Sequence, residues 1–576
     1  MWFLSFHIHH NAAVTLMKDT EVVLHLEEER LTHSKYDRFP LNVLQLVSNY
    51  TKVIDHYSFT SLFDVDPLAE TGFSYVKYLK QICGIQEVLN DHQSKSHHET
   101  HASCAFYHSD FDEAAVIVLD GAGSQHDYGK ENETIFKMCK NSGKLKSEIL
   151  YQSVVGFGNV RSETNKIVPR YVNLKQTVGA GMLYAAASQW LGWGQLDGGK
   201  TMGLAPYGEE DKNLKPLLTK NGGVPNNLGL VSFKGVGSVA CFIKGYDYIC
   251  IGDKPMGSGK FSEIKVLAGK SHLGEDELER RRKNFAYKVQ KEYEEYLIHL
   301  CQRVLSISKS KNLVLTGGCA LNCVANYKLL KSLPDDVNLY VEPISSDCGV
   351  SMGSAFHLVL DQYPDKVNEL KIKDLYLGQQ IKYDYELNDG ESEKKITPAE
   401  VAQLLVDGNI VALAQGRSEA GPRALGNRSI LFDPRHPDGK DIVNRIKNRE
   451  YFRPFAGTVL YEHSREWFDM DRLDESPFMM YAVDVLLEKQ KEIPAITHVD
   501  GTCRVQTLKK EQNKNYYNLI SEFNKLTGVP ILFNTSFNLA GDTIVETIED
   551  AFRTLRNSEI EYLYLPEIQK LVYVPN

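Results

Sequence analysis

The segment from Ser418 to Phe455, SEAGPRALGNRSILFDPRHPDGKDIVNRIKNREYFRPF, concentrates basic residues in a chain that is acidic as a whole. Its arginines and lysines are Arg423, Arg428, Arg435, Lys440, Arg445, Lys447, Arg449 and Arg453. Guanidinium groups stay charged and donate paired hydrogen bonds to phosphate or carboxylate oxygens. Because these arginines alternate with turn and apolar residues, we expect packed structure that holds them against an anion. A solvated basic face is the alternative interpretation.

A second candidate for chemistry is the run HHETH, from His97 to His101. On a helix, His97 and His101 lie one turn apart on one face, which is the spacing that two imidazoles need to share a metal ion. The run is not the metalloprotease pattern His-Glu-x-x-His. Asp120 and Asp347 would add carboxylates, and such a set suits iron, manganese or zinc. Histidines that are only packed core are the alternative.

Two glycine motifs are candidates for nucleotide contacts. The run from Gly194 to Thr201 matches the Walker A pattern, but an alanine-rich helix precedes it, whereas a P-loop needs a strand there. We therefore predict that it is not a P-loop, and Lys200 remains a candidate contact for a phosphate or carboxylate. The pair Gly317-Gly318 ends a predicted strand, where it either lets a ligand approach the backbone or forms a tight turn.

Composition narrows the class of protein. The 576 residues, 42% hydrophobic and 24% charged, are typical of a soluble globular protein of two or three domains. The net charge of −10 argues against a non-specific nucleic-acid or anionic-membrane binder. Ten scattered cysteines indicate reduced thiols and a cytoplasmic location. Neither a signal peptide nor a membrane-spanning run is predicted.

The elements that must position these residues follow an α/β pattern. Strands are predicted at 114–123 and 312–322, each ending in an acidic or glycine turn, and a helix at 182–192. Ligands gather at the carboxyl ends of strands in such sheets. Residues 272–310 are charged with a helical period, which predicts surface helices.

A domain boundary is predicted near 373–396, where the chain becomes polar before a helix start signal at Thr397-Pro398. The arginine-rich segment and a predicted strand at 529–538 then belong to a second domain. We find neither internal repeats nor low-complexity tracts in the sequence.

Taken in order, eleven short motifs resemble the NodU/CmcH family of O-carbamoyltransferases, from about residue 5 to about residue 565. Each motif alone is weak, and together they are specific. The motifs are HNAA at His10, EERL at Glu28, HHxxHA at His97, DG at Asp120, GKxMGLAPYG at Gly199, GGxALN at Gly317, SDxG at Ser346, GPRALGNRSIL at Gly421, RPFA at Arg453, DGTxRVQ at Asp500 and NTSFN at Asn534.

The resemblance implies a two-domain α/β enzyme. Residues 1–385 would form an actin/sugar-kinase/Hsp70-like (ASKHA) domain, similar to threonylcarbamoyl-tRNA transferases, and residues 386–576 a YrdC-like α/β domain. Carbamoyl phosphate and ATP would react at the C-terminal domain to give carbamoyl adenylate and pyrophosphate. The N-terminal domain would then pass the carbamoyl group to an acceptor hydroxyl near a bound divalent iron. The implied cofactors and substrates are ATP, carbamoyl phosphate, divalent iron or another divalent metal, and magnesium.

The resemblance also implies roles for individual residues. The metal ligands would be His97, His101, Asp120 and Asp347. The adenylate would be held by Gly317, Gly318 and Asn322. The carbamoyl phosphate and nucleotide would contact Lys200, Arg423, Arg428, Lys447, Arg453, Arg504, Asn534 and Ser536. His10 and Lys35 match polar residues near the transfer centre, where His10 would take the hydroxyl proton. A strand-end histidine that only bonds the backbone is the alternative for His10.

The acceptor is left open by the sequence. A small-molecule hydroxyl is the leading expectation, and a nucleic-acid hydroxyl, such as a hydroxymethylated pyrimidine in DNA or a tRNA adenosine, is the second. A non-catalytic nucleotide-binding scaffold is the third. Asn11 and His33 stand where the family usually has aspartate and arginine, which leaves the fit of the acceptor uncertain. A homodimer is a possible assembly, and no membrane partner is expected.

Overall fold

The protein is described from a computed structural model that covers residues 1–61, 71–126, 129–141, 144–155, 172–173, 179–214, 216, 218, 275–370 and 372–575. Its strands form three sheets. Within these ranges, every helix is too short or too polar to cross a bilayer.

The first sheet is built from the N-terminal part of the chain. Its strands are β1 (Trp2–Ile8), β2 (Ala13–Lys18), β3 (Glu21–Glu27), β4 (Val53–Ser61) and β5 (Glu87–Asp91), joined by the helices α1 (Glu29–Thr32), α2 (Leu41–Leu46) and α3 (Tyr75–Gln81). The spatial order is β3-β2-β1-β4-β5. The first three strands are antiparallel, and β4 and β5 add in parallel.

The second sheet follows in the chain. Its strands are β6 (Glu113–Leu119), β7 (Gln125–His126), β8 (Gly129–Asn141), β9 (Lys144–Val155), β10 (Val172–Asn173), β11 (Asn312–Thr316) and β12 (Asn338–Val341), in the order β10-β9-β8-β6-β11-β12 with β7 on β8. The strands β6, β11 and β12 are parallel, so their carboxyl ends meet at one edge. Two of these, β6 and β11, confirm the strands predicted to end in acidic or glycine turns.

The helices of this part are α4 (His97–His108), α5 (Gly179–Trp190), α6 (Gly198–Leu204), α7 (Glu275–Ser308), α8 (Cys323–Ser332) and α9 (Cys348–Gln362). The predicted helix at 182–192 is α5. The expectation of surface helices over 272–310 is corrected, since α7 is one helix with a buried side. Phe285, Val289 and Leu297 recur at helical spacing along it and lie in the largest hydrophobic core. In addition, α9 packs between α4 and the first sheet.

The third sheet is C-terminal and has ten strands. They are β13 (Ser392–Lys395), β14 (Val411–Ala414), β15 (Arg428–Phe432), β16 (Ala456–Leu460), β17 (Phe468–Asp469), β18 (Ala482–Val485), β19 (Thr502–Leu508), β20 (Ile531–Ser536), β21 (Tyr562–Leu565) and β22 (Lys570–Tyr573). Their order is β13-β22-β21-β14-β15-β20-β16-β19-β18-β17. The helices are α10 (Pro398–Val406), α11 (Gly439–Ile446), α12 (Ser464–Trp467), α13 (Lys514–Thr527) and α14 (Ile548–Arg556).

The predicted start signal at Thr397 is confirmed as a capping box. The Thr397 hydroxyl accepts from the Glu400 N–H at 3.3 Å, and the Glu400 carboxylate accepts from the Thr397 N–H at 2.8 Å. The sheets confirm the α/β class. Apolar side chains of the N-terminal and C-terminal parts share one core, in which the rings of Trp193 and Phe452 lie 5.6 Å apart. The division between residues 385 and 386 stays a prediction.

Gly426, in the loop before β15, provides a test of local packing. Its φ is +107°, and a Cβ there would lie 2.2 Å from a ring carbon of buried Tyr516. We expect Gly426→Ala to lower the free energy of unfolding by about 2–4 kcal/mol, because backbone strain and overpacking act together. Gly408→Ala is the matched control, with φ +84° and no described atom within 4 Å. Thermal unfolding of both variants checks this, and equal losses would contradict the packing argument.

Candidate active site

Four buried side chains converge at the amino end of α4. The helix starts at His97 because the Ser96 hydroxyl accepts from the Glu99 N–H at 3.2 Å. His97 and His101 then lie one turn apart, with ring centroids separated by 4.8 Å. Asp120 follows β6 and Asp347 precedes α9, so a strand end and a helix start bring two carboxylates to the histidines.

The distances within this cluster suit a shared metal ion. His97 Nε2 lies 3.3 Å from Asp120 Oδ2 and 3.6 Å from Asp347 Oδ1. His101 Nε2 lies 3.6 Å from the same Asp347 Oδ1. One ligand atom from each of the four residues lies within 4.8 Å of all the others. The structure thus brings together the residues that the resemblance implied as metal ligands.

The hydrogen bonding also fits a metal. Among the described residues, His101 Nε2 has no hydrogen-bond partner, although it is buried. Buried polar atoms need a partner, and two imidazoles with two carboxylates suit a divalent ion such as iron, manganese or zinc. Burial would raise the pKa of Asp347, but the nearby imidazoles of His10 and His97 hold it well below its usual range. A carboxylate that stays ionised is ready to bind a cation.

A second group of metal-ligand types, Cys104, His108 and Glu342, lies farther along α4. Here the polar atoms satisfy one another. His108 Nδ1 lies 2.8 Å from a Glu342 carboxylate oxygen, and the Ile344 N–H donates to that carboxylate at 3.0 Å. This group is therefore explained as a buried hydrogen-bonded pair, in contrast to the cluster around His101.

The two carboxylate oxygens of Asp347 face two different pairs of histidines. Oδ1 faces His97 and His101, whereas Oδ2 lies 3.5 Å from His7 Nε2 and 3.4 Å from His10 Nδ1. Because Nδ1 of His10 lies 3.3 Å from Asn11 Oδ1 and also faces this carboxylate, Nε2 is the ring nitrogen left for a substrate. Burial lowers the pKa of His7 to about 4, which favours a neutral ring. The sequence analysis missed His7, whose signal was a histidine inside an otherwise apolar strand.

A cavity of about 530 Å³ opens beside this cluster. It is lined by His9, His10, Ser34, Lys35, Tyr36, Asp37, Arg38, Phe39, Gln195 and Leu196. The side chain of His10 is 23% exposed there. The structure therefore brings the two predicted transfer-centre residues, His10 and Lys35, to one cavity next to the metal-type cluster. Of the two departures from the family pattern, His33 points elsewhere, with Nε2 3.2 Å from Asp550 Oδ1.

Cations gather on the other side of Lys35. The cation cluster consists of Lys35, Arg423, Lys447, Arg449, Arg453 and Arg504. Burial first, and then Arg504 and Arg453, lower the pKa of Arg423 to about 9. Burial and the neighbouring arginines likewise lower the pKa of Arg449 to about 9. Arg449 was absent from the residues implied by the resemblance, although it lies in the same basic run.

Several donors of the cation cluster are unused. Nη2 of Arg423 donates to the Leu321 carbonyl at 3.3 Å, but the buried Nε atoms of Arg423 and Arg504 donate to no residue that the structure describes. Burial and the facing arginines hold the pKa of Lys447 well below its usual range. Cations that face each other with little access to water require anions. For these residues, this arrangement favours an anion-binding site over the alternative of a basic face exposed to solvent.

Arg428 does not join that cluster, and its implied contact with the substrates stays a prediction. It is fully buried, and its guanidinium donates to main-chain carbonyls, including Glu546 O at 3.0 Å and Asn427 O at 3.0 Å. The bond to Glu546 links the start of β15 to the segment before α14. A guanidinium that is already bonded to carbonyls has little capacity for a phosphate, so Arg428 stabilises the fold around the site.

Asn534 and Ser536, the other C-terminal residues that the resemblance implied, lie at the edge of the cation cluster. Asn534 donates from Nδ2 to Thr458 Oγ1 at 3.0 Å, and its buried Oδ1 accepts from none of the described residues. Ser536 accepts from Lys447 through its carbonyl, and Asn538 Oδ1 accepts from the same ammonium at 3.1 Å. Asn534 thus retains a free acceptor, whereas Ser536 holds the lysine in place.

The Walker-like run is not a P-loop, as predicted. The element directly before it is the helix α5, whereas a P-loop follows a strand, and the run leads into α6. Lys200 meets carboxylates, since its ammonium lies 3.1 Å from Glu450 and 3.4 Å from Asp197. Glu450 in turn lies 3.7 Å from Arg453, which links Lys200 to the cation cluster.

The Gly317-Gly318 turn serves the packing of the second sheet. Gly317 has φ +84°, and a Cβ there would lie 2.3 Å from the Leu119 carbonyl oxygen. The Gly318 N–H donates to Asp120 Oδ1 at 3.3 Å, so this turn also orients a carboxylate of the metal-type cluster. Asn322 caps α8 by accepting from the Ala325 N–H at 3.0 Å. All three residues have structural roles, and contact with an adenylate stays a prediction.

Comparison with known proteins gives independent support for the family resemblance. The family described as Carbamoyltransferase N-terminus matches residues 40–356, and Carbamoyltransferase C-terminus matches residues 402–570. An uncharacterised protein of Synechocystis is 30% identical, over 97% of this chain and 94% of its own length. Nodulation protein NolO of Bradyrhizobium diazoefficiens is 30% identical over 81% of this chain and 77% of its own. Nodulation protein NolNO of Sinorhizobium fredii is 29% identical over 96% and 78%.

Among solved structures, full-length HypF in its phosphate- and nucleotide-bound form is similar with a TM-score of 0.34 and 13% identity, over 62% of this chain and 55% of HypF. A ROK family glucokinase from Streptomyces griseus has a TM-score of 0.27 and 11% identity, over 62% of this chain and 99% of the glucokinase.

Both family matches confirm the relationship that the eleven motifs indicated. The described sheets agree with the implied α/β class, and the assignment of an ASKHA-like part followed by a YrdC-like part stays a prediction. A non-catalytic scaffold is set aside by the two family matches. This chain belongs to the carbamoyltransferase family and is an enzyme of that family.

Proposed function

We propose that this carbamoyltransferase makes carbamoyl adenylate from carbamoyl phosphate and ATP at the cation cluster. The carbamoyl group then passes to a small-molecule hydroxyl in the cavity beside His10. The observation that carries this proposal is the cation cluster itself. Its half-buried arginines and buried Lys447 lower one another's pKa, and Arg423 and Arg504 keep unused donors. Two phosphorylated substrates supply the negative charge that such a cluster requires.

The first step must balance in atoms. Water cleaves the phosphate from carbamoyl phosphate, which gives carbamate and inorganic phosphate. A carbamate oxygen then attacks the α-phosphorus of ATP, the bond to the bridging oxygen of the β-phosphate breaks, and pyrophosphate leaves. Arg423, Arg449 and Arg504 would hold the charge that develops on the phosphoryl oxygens, since preorganised donors in a buried site stabilise such charge strongly. ATP would bring magnesium with its phosphates.

The second step is acyl transfer. The acceptor oxygen attacks the carbamoyl carbon, the bond from that carbon to the AMP oxygen breaks, and AMP leaves. His10 takes the hydroxyl proton on Nε2, because Nδ1 is turned toward Asp347 Oδ2 at 3.4 Å. Lys35 lies between the cavity and the arginines, and so is placed to contact the departing phosphate.

The four residues His97, His101, Asp120 and Asp347 would hold the divalent ion that the family resemblance implies. When bound, such an ion supplies Lewis-acid stabilisation of negative charge. His7 supports the same site from outside, since its Nε2 lies 3.5 Å from Asp347 Oδ2 and its Nδ1 lies 3.0 Å from Thr60 Oγ1.

A small-molecule acceptor is favoured over DNA by the cavity. About 530 Å³ is the size of pockets that enclose small ligands, and His10 stands in its wall. The lining combines polar groups with the side chains of Tyr36 and Phe39, which suits a polyhydroxylated molecule. The overall charge of −10 also disfavours a duplex.

The experiment that tests this function supplies radiolabelled carbamoyl phosphate, ATP, magnesium and ferrous iron to the purified protein. Sugars, aminoglycoside-like polyols and hydroxymethylated duplex DNA are offered as separate acceptors. We expect pyrophosphate release that requires carbamoyl phosphate, and label in a small-molecule product. Label in the DNA would instead support the second acceptor class. Absence of pyrophosphate release under every condition would contradict the proposed chemistry.

A further inference from the structure

The motif EERL, at residues 28–31, has no part in the chemistry described so far. Each of its charged side chains nevertheless has a definite partner. Glu28 accepts from the Asn42 N–H at 2.8 Å and the Val43 N–H at 2.9 Å, which fixes the start of α2. Glu29 accepts from the Tyr36 N–H at 2.8 Å. That bond holds the loop on which Lys35 reaches the cavity.

Arg30 reaches in the opposite direction, into the C-terminal part of the chain. It is 2% exposed, and its Nη2 donates to the Gly421 carbonyl at 2.6 Å and to the Glu419 carbonyl at 3.3 Å. Glu27, at the end of β3, lies 3.6 Å from the guanidinium. Arg30 therefore contacts the main chain of the loop that carries Arg423, two residues before that side chain.

The same loop is held from inside by Glu419. One oxygen of its buried carboxylate accepts from three main-chain N–H groups, those of Leu425 at 2.7 Å, Asn427 at 2.8 Å and Arg428 at 3.2 Å. Gly421 takes φ +84°, and a Cβ there would lie 2.8 Å from Ile344. The loop from Glu419 to Arg428 is thus fixed at both ends, with Arg30 as one of its contacts from the N-terminal part.

We propose that Arg30 is a positioning residue for the anion site, and that it acts across the two parts of the chain by fixing the main chain around Arg423. Glu29 and Arg30 are adjacent, so one short helix fixes both the Lys35 loop and the Arg423 loop. The anion site is then completed only when the N-terminal part is docked. The kinetic side of this inference rests on the proposed function, whereas the structural side does not.

Arg30→Met tests the inference, with Arg30→Lys as the conservative variant. Arg417→Met is the matched control, because Arg417 also joins the two parts, donating to the carbonyls of Val23 at 2.7 Å and Leu377 at 2.6 Å. Hydrogen exchange of the intact protein, followed in peptides that cover residues 419–431, is the first readout. We expect Arg30→Met to speed exchange at these amides by about tenfold, and Arg417→Met to leave it unchanged.

The second readout is kinetic and uses the pyrophosphate assay. Arg423→Ala should weaken the binding of ATP, of carbamoyl phosphate or of both. For the same substrate, we expect Arg30→Met to raise KM about 10- to 100-fold, with a smaller effect on kcat. Arg30→Lys should restore part of the affinity. Unchanged exchange and unchanged KM in a folded Arg30→Met protein would overturn the inference. If the wild-type protein releases no pyrophosphate, the proposed function fails, and hydrogen exchange alone still decides the role of Arg30.

Discussion

Replacing Arg423 by alanine is expected to reduce carbamoyl-phosphate-dependent pyrophosphate release by about 30- to 1,000-fold. The half-buried Arg423 side chain faces other cations, and its buried Nε is an unused donor, so its natural partner is a substrate anion. Losing one such charge-assisted clamp removes about 2–4 kcal/mol of stabilisation in a preorganised site. Initial rates of pyrophosphate release at saturating ATP, with carbamoyl phosphate varied, check this expectation.

Arg445→Ala is the matched control for that experiment. Arg445 belongs to the same basic run, but its side chain is 63% exposed and pairs with Glu559 at 2.6 Å. An exposed pair of this kind contributes little, so the rate should stay within about twofold of wild type. If Arg423→Ala releases pyrophosphate as fast as Arg445→Ala does, the anion site does not lie at Arg423.

The second large effect is expected at the metal-type cluster. His97→Ala and His101→Ala should each lose the metal and the transfer of the carbamoyl group, because each removes one of two imidazoles that face the same carboxylate. Pyrophosphate release should persist, since Arg423, Arg449 and Arg504 do not depend on these histidines. Metal analysis after anaerobic loading with ferrous iron, together with separate assays of pyrophosphate and carbamoylated product, measures the two effects independently.

His108→Gln serves as the control on the same helix. His108 belongs to the second group of ligand types and bonds to Glu342. Its replacement should leave the metal content unchanged. Loss of metal from His108→Gln and not from His101→Ala would contradict this assignment, because it would place the ion at the group of Cys104, His108 and Glu342. A wild-type protein that binds no metal, with normal transfer by the histidine variants, would show that these histidines are only packed core.

The sequence predicted that four residues lie together because the signals for each are local in the chain. These residues are His97, His101, Asp120 and Asp347. Two histidines one helical turn apart share a face, and an aspartate at the end of a parallel strand lies at the edge where ligands gather. The structure brings these four residues together. That they bind a metal stays a prediction. His7 was missed because a lone histidine in a buried strand more often bonds to its neighbours than to a functional carboxylate.

The arginines show where such reasoning stops. Arg423 and Arg428 belong to one motif, yet they have different surroundings. Arg423 is half-buried and faces Arg504 and Arg453, whereas Arg428 is fully buried and bonds to main-chain carbonyls, including those of Asn427 and Glu546. Residue type and spacing do not say which way a guanidinium points, because that depends on the backbone of distant strands. Arg30 lies about 390 positions from the carbonyls that it contacts, and no local pattern predicts such a pair.

The measurement that tests the central claim most directly is a double-label experiment on the His101→Ala protein. The variant is incubated with carbamoyl phosphate labelled at its carbon and ATP labelled at its α-phosphorus, and the small molecules are separated. Because adenylate formation and transfer are assigned to different sites, the account predicts a species that carries both labels in equal amounts, and its absence when Arg423→Ala is added. A carbon label that is never found together with the α-phosphorus, in the variant or in wild type, would contradict the account.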